Sequence, residues 1–268
     1  MLKLLNYYKF LFALSGIILL AGIISLAAYG LRLGIDFKGG TVTELKFEKP
    51  YDIAKIHDVV SGAGVGAFQL QTSDNNGLIV KTGDLDKDAH DKLDASLKDK
   101  IGNFQEVRYE SVGPVVGKEL KQDAIWQLVL VSLAIILFIA FAFRRVQRPI
   151  TSWRFGVAAV IALLHDLLIV LGIFSILGHY KGIEIDSLFV TAMLTVLGFS
   201  VHDTIVVFDR IRENLKIYAG QPIDFVVNHS ITQTLVRSLN TSLTVLFVLL
   251  ALLLFGGDTI KYFILAIS

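Results

Sequence analysis

The chain is 268 residues long and 54% hydrophobic, with a net charge of +1 and a mean hydropathy of +0.63. That hydropathy exceeds what an ordinary globular domain shows, and the near-zero charge argues against a nucleic-acid partner. Cysteine is absent, which removes disulfides and thiolate metal sites. The charges gather between apolar runs, the pattern of a polytopic membrane protein.

Lys3 and Lys9 precede the first apolar run, Phe10–Leu31. That run is about 22 residues long, more than a signal-peptide core, and no A-x-A-like cleavage site follows it. It reads as a retained anchor. Arg32 to Gln122 then forms a polar segment long enough for a small domain. Thr41–Phe47 alternates as a strand, and Tyr51–Gly62 has helical spacing through Ile53, Ile56, Val59 and Val60. Ala67–Thr72 and Gly77–Thr82 read as strands around an Asn75-Asn76-Gly77 turn. Asp86–Ile101 reads as a helix with Leu85, Ala89, Leu93 and Leu97 on one face, and Phe104–Ser111 as a last strand. The order βαββαβ predicts a ferredoxin-like domain.

Nothing in this segment reads as catalytic. His57 and His90 fall on helices near carboxylates and are expected on solvated faces. Gly62, Gly64 and Gly66 do not form a phosphate loop, because no lysine follows at the required spacing. The aspartates between Asp84 and Asp99 alternate with lysines and lack the spacing of a calcium loop.

Four more runs approach the roughly 20 apolar residues that a spanning helix takes: Ala124–Phe143, Phe155–Leu177, Leu188–Phe208 and Leu235–Phe255. A sixth begins near Thr259 and reaches only Ser268, so the expected bundle is six-helical with its sixth helix truncated. Arg144, Arg145, Arg148 and Arg154 crowd the link after the second span; Arg210, Arg212 and Lys216 follow the fourth. The other links hold only Lys181 and Lys261. Positive residues stay on the cytoplasmic side, so the N-terminus is expected to be cytoplasmic and residues 32–122 extracytoplasmic. The predicted organisation is a leader and first helix over 1–31, an external domain over 32–122, and transmembrane helices over 123–268.

The most informative string runs from Val201 to Asn214. It ends an apolar run and becomes charged, which leaves Asp203 inside the membrane and lets Asp209, Arg210, Arg212 and Glu213 emerge as a cytoplasmic cap. An ionisable residue inside a spanning helix costs about 2.5–3.5 kcal/mol on insertion scales, so its default reading is functional. Arg237 lies just inside the fifth span from the same side. The two helices run antiparallel, so Asp203 and Arg237 are expected at similar depth. Thr234, Arg237, Thr241 and Thr244 recur at helical spacing as a polar stripe turned away from lipid. His165 and Asp166, near the middle of the third span, and His202 could complete the cluster. Each has a structural alternative: Asp203 as a hydrogen-bonding link between helices, Arg237 snorkelling to the interface, the histidines and Asp166 as helix contacts. Gly34, Gly39 and Gly40 permit unusual backbone or close packing where the chain leaves the membrane, with Asp36 holding that junction.

Three motifs carry a resemblance to a known family: Gly34-Ile35-Asp36-Phe37-Lys38-Gly39-Gly40-Thr41, the Asp203–Asn214 string, and Thr234-Leu235-Val236-Arg237-Ser238-Leu239-Asn240-Thr241-Ser242. A weaker fourth is Ser111-Val112-Gly113-Pro114-Val115-Val116-Gly117. Together they resemble the SecF family of bacterial protein-export subunits, within the resistance–nodulation–division superfamily. His202 departs from the family pattern, which often has Asn there.

The resemblance implies a subunit in the bacterial inner membrane. Its partners would be SecD, the SecYEG channel, YajC, translocating preproteins, membrane lipid and protons, with the proton motive force driving export through Asp203 and Arg237. A proton-coupled efflux half-transporter and a passive scaffold for SecD are the alternatives, and the small external domain counts against efflux. No nucleophile–base pair, metal set or cofactor fingerprint stands out, so neither an enzyme nor a bound cofactor is expected.

Overall fold

The computed structural model describes residues 7–73, 76–143, 152–256 and 260–268. Lys3, Asn75, Arg144, Arg145, Arg148 and Thr259 lie outside the described residues. The chain divides into two compact units: Leu33–Ala124, and Met1–Arg32 with Ile125–Ser268.

Helix α1 (Tyr8–Tyr29) leads to the first unit, which begins with a one-turn helix in the junction motif, α2 (Ile35–Lys38). The order continues β1 (Gly40–Phe47), α3 (Ile53–Gly62), β2 (Phe68–Ser73), β3 (Gly77–Thr82), α4 (Lys87–Lys100) and β4 (Phe104–Val112). The strands form one antiparallel sheet in the order β2-β3-β1-β4. Asp52 and Asp86 start α3 and α4 by accepting hydrogen bonds from Ala54 N (2.9 Å) and Ala89 N (2.8 Å). Each cap satisfies a backbone donor that the first helical turn leaves without a partner. Leu45, Ile56, Val60, Leu78, Val80, Leu93 and Leu97 are sealed between sheet and helices. Each such side chain contributes about 1.5–3 kcal/mol on burial.

The junction motif is held by backbone packing. Gly39 (φ +78°) and Gly40 (φ +140°) lie where L side chains rarely go. A Cβ on Gly39 would sit 2.8 Å from Pro114 Cα, and one on Gly117 2.8 Å from Gly39 N. Two motifs far apart in sequence thus meet with no room for a methyl group.

The second unit contains α1, most of α5 (Pro114–Ala142), α6 (Ser152–Lys181), α7 (Ser187–Ile217), α8 (Ile223–Phe255) and the short α9 (Lys261–Ile267). Five of these are long and apolar enough to cross a membrane. They outrun the apolar runs that predicted them: α5 starts at Pro114, α7 continues to Ile217 and α8 starts at Ile223. Polar residues extend a helix as readily as apolar ones, so hydropathy marks only the lipid-compatible part.

Helices α1 and α6 run parallel. Gly22 meets Gly172, and Ser25 Oγ lies 2.9 Å from Ser175 Oγ. A Cβ on Gly172 would fall 2.5 Å from Gly22 Cα. Small residues let the backbones approach where lipid supplies no hydrophobic drive. Helices α7 and α8 run antiparallel. Their hairpin is pinned by Asn214, 1% exposed, which donates to Ser230 Oγ (2.8 Å) and Gln233 Oε1 (2.9 Å).

Candidate functional site

A half-buried polar chain runs between three helices of the helical unit. His165 Nδ1 on α6 donates to Asp166 Oδ1 (2.8 Å), and Ser200 on α7 donates to Asp166 Oδ2 (2.6 Å). With that proton on Nδ1, the other ring nitrogen, Nε2, meets the Ser15 hydroxyl on α1. The links Ser15–His165–Asp166–Ser200 therefore join α1, α6 and α7 through unbroken hydrogen bonds. One turn beyond Ser200, Asp203 accepts from Ser238 of α8 (3.4 Å).

Asp203 is half-buried and lines a cavity of about 190 Å³ together with His202 and Thr241. Three of the residues singled out in the sequence thus share one space. Arg237 is elsewhere: it lines a second cavity, about 380 Å³, with Asp209, Arg210, Arg212 and Glu213. Among the described residues no ion pair joins Asp203 to Arg237. The residue facing Asp203 is Ser238, and consecutive helical residues point about 100° apart. Similar depth, which the sequence predicts, does not by itself bring two side chains together.

The stripe on α8 is not uniform either. Thr234 is buried, Thr241 donates to Arg237 O (3.0 Å), and Thr244 to Asn240 O (2.7 Å). The charged end of α7 is stitched along its own helix by Arg210–Glu213 (2.8 Å) and Arg212–Asp209 (2.5 Å). Exposed pairs of this kind contribute about 0.3–0.5 kcal/mol each and shape the interface more than they stabilise it.

Sequence reasoning missed Ser15, Ser200, Ser238 and Asn214. Serine and asparagine are common in helices, and only the facing helix reveals a partner. His57 is exposed, as expected. His90 is not: it is 8% exposed, with its ring against Tyr109 and Nε2 3.0 Å from Glu106 Oε2. The period placed it on a helix, but β4 covers that side of α4.

Long apolar helices linked by half-buried polar hydrogen bonds, with a small antiparallel sheet unit, define a polytopic membrane protein. The C-terminal domain family of the protein export membrane proteins SecD and SecF matches residues 92–268, and the SecD/SecF GG motif matches residues 24–50. A protein translocase subunit SecF from Thermobaculum terrenum is 47% identical over 100% of this chain and 87% of its own. That of Anaerolinea thermophila is 40% identical over 98% and 86%. The crystal structure of SecDF from Thermus thermophilus, a translocon-associated membrane protein, matches with TM-score 0.84 and 32% identity, over 98% of this chain and 35% of that one. SecDF in its super-membrane-facing form matches at the same identity and coverage with TM-score 0.67. This chain thus spans about a third of the length of the SecDF chains. It belongs to the SecD/SecF family of protein export membrane proteins.

Proposed function

We propose that this chain acts as a SecF-type subunit with SecD at the SecYEG channel, using the proton motive force to promote preprotein translocation. In this reading it is a bacterial inner-membrane protein with its N-terminus cytoplasmic and residues 32–122 outside; YajC and lipid are its further contacts. In this reading it performs no enzymatic chemistry of its own. The observation that carries the reading is the polar chain from Ser15 to Ser200 with Asp203 one turn beyond it. Polar groups in a spanning bundle are costly, and proton relays are a main reason to keep them.

In this mechanism Asp203 is the proton acceptor and Arg237 its counter-ion in one of two packings. With Asp203 protonated, the attraction lapses and Arg237 rests in the cytoplasmic-side cavity beside Asp209 and Glu213. With Asp203 ionised, a swing of the long Arg237 side chain, or a turn of α8 about its axis, brings the charges together. His165 and Asp166 hand protons to and from Asp203 by way of Ser200, and His202 and Thr241 hold water beside it. The junction of Gly34, Asp36, Gly39 and Gly40 transmits the change to the outer domain. One charge crossing 100 mV yields about 2.3 kcal/mol, enough to bias two packings almost fifty-fold.

The test is a reconstitution with SecD and SecYEG in inverted vesicles, with completion of a stalled preprotein's export followed under an imposed proton gradient. Wild type responds to the gradient, and Asp203→Asn assembles but does not respond. Equal stimulation of both would leave the passive-scaffold reading in its place.

A further inference from the structure

From the geometry of the outer unit we infer a divalent transition-metal site, formed by His90 and Asp94 of α4 and Glu106 of β4. Nitrogen and oxygen donors of this kind suit a borderline cation such as Zn²⁺.

One potential ligand atom from each residue lies within 4.8 Å of the other two. His90 Nε2 is 3.0 Å from Glu106 Oε2 and 4.0 Å from Asp94 Oδ2. Ligands about 2.0–2.1 Å from a tetrahedral ion stand roughly 3.3 Å from one another. Small rotations of the two carboxylates, the more exposed of which is Glu106, bring all three to that spacing. Histidine and Asp94 are one helical turn apart, so a single helix face supplies two donors and the neighbouring strand the third.

A second observation is independent of that spacing. His90 Nδ1 and Asp94 Oδ1 are buried with no hydrogen-bond partner. Buried polar atoms without partners are rare and call for an explanation. A metal ion would take Nε2 and Glu106 and can draw in both oxygens of Asp94, which gives the buried Asp94 Oδ1 the partner it lacks; the His90 proton then sits on Nδ1. Tyr109 packs on the ring at 4.2 Å, which fixes its plane for ligation. Lys98, one turn after Asp94 on α4, holds its ammonium 5.2 Å over the Phe104 ring. The bound ion would tie α4 to β4 and stiffen the outer unit.

The test uses the full chain, purified in detergent and stripped with a chelator. Zn²⁺ is titrated calorimetrically and Co²⁺ by its visible absorption. Wild type is expected to take up one ion per chain and to melt at higher temperature when loaded. His90→Ala should weaken uptake at least tenfold and abolish the Co²⁺ bands. Glu106→Gln, which keeps size and fold, should weaken it as well, and circular dichroism of both variants checks that α4 and the sheet persist. No saturable uptake by wild type, or equal uptake by wild type and a folded Glu106→Gln, would overturn the site.

Discussion

The two units obey one rule in opposite solvents. The sheet unit closes its apolar side chains away from water: Leu45, Ile56, Leu78 and Leu97 are fully buried. The helical unit turns Phe10, Phe12, Leu254 and Phe255 outward and keeps Ser15, His165, Asp166 and Ser200 bonded within. Where the surroundings are hydrocarbon, burial of apolar surface gains little, and packing and hydrogen bonds must hold the helices. The same apolar substitution should therefore cost much in the sheet unit and little on the outer face of the helical unit.

The largest expected effect is functional. Asp203→Asn should abolish gradient-stimulated export with the complex intact, measured by the vesicle assay. Loss of assembly instead would make Asp203 a structural link. Next comes the core of the sheet unit. Leu97→Ala should cost about 2–5 kcal/mol of that unit's stability, whereas Leu254→Ala, on an outward face, should change stability by under about 0.5 kcal/mol. Denaturant titration in detergent compares them, and equal losses would erase the contrast between the units. Within the helical unit, Asn214→Ala leaves Ser230 and Gln233 without their donor and should cost about 1–3 kcal/mol, read as a lowered melting temperature.

The smallest effect is a pH dependence at Asp94. Its folded-state carboxyl is raised above the unfolded value, chiefly by burial. The folded state therefore binds the extra proton, and stability falls as pH rises through the raised value. In chelated buffer Asp94→Asn should melt slightly above wild type at neutral pH, with the gap closing below the ordinary carboxylate range. A gap that is independent of pH would remove the titration of Asp94 as its cause.

Much of this protein was legible along the chain. The alternation of Thr41–Phe47 and the spacing of Ile56, Val59 and Val60 gave strand and helix, because burial on one side imprints its period on the sequence. The apolar runs gave five long helices but not their ends, since α7 and α8 continue through polar residues. The motifs gave the family. His90 was misplaced because helical periodicity says which residues share a face, not what covers that face.

The sequence by itself determined the kind of most elements, the family, and which ionisable groups lie within apolar runs; the one-turn helix α2 was not legible in it. These are local properties of composition and period. Only the tertiary structure decided the partners: Ser15 with His165, Ser200 with Asp166, Ser238 instead of Arg237 with Asp203, and His90 with Asp94 and Glu106. Rotation of each helix about its axis and the choice of neighbour set these pairings, and both emerge only when distant segments pack.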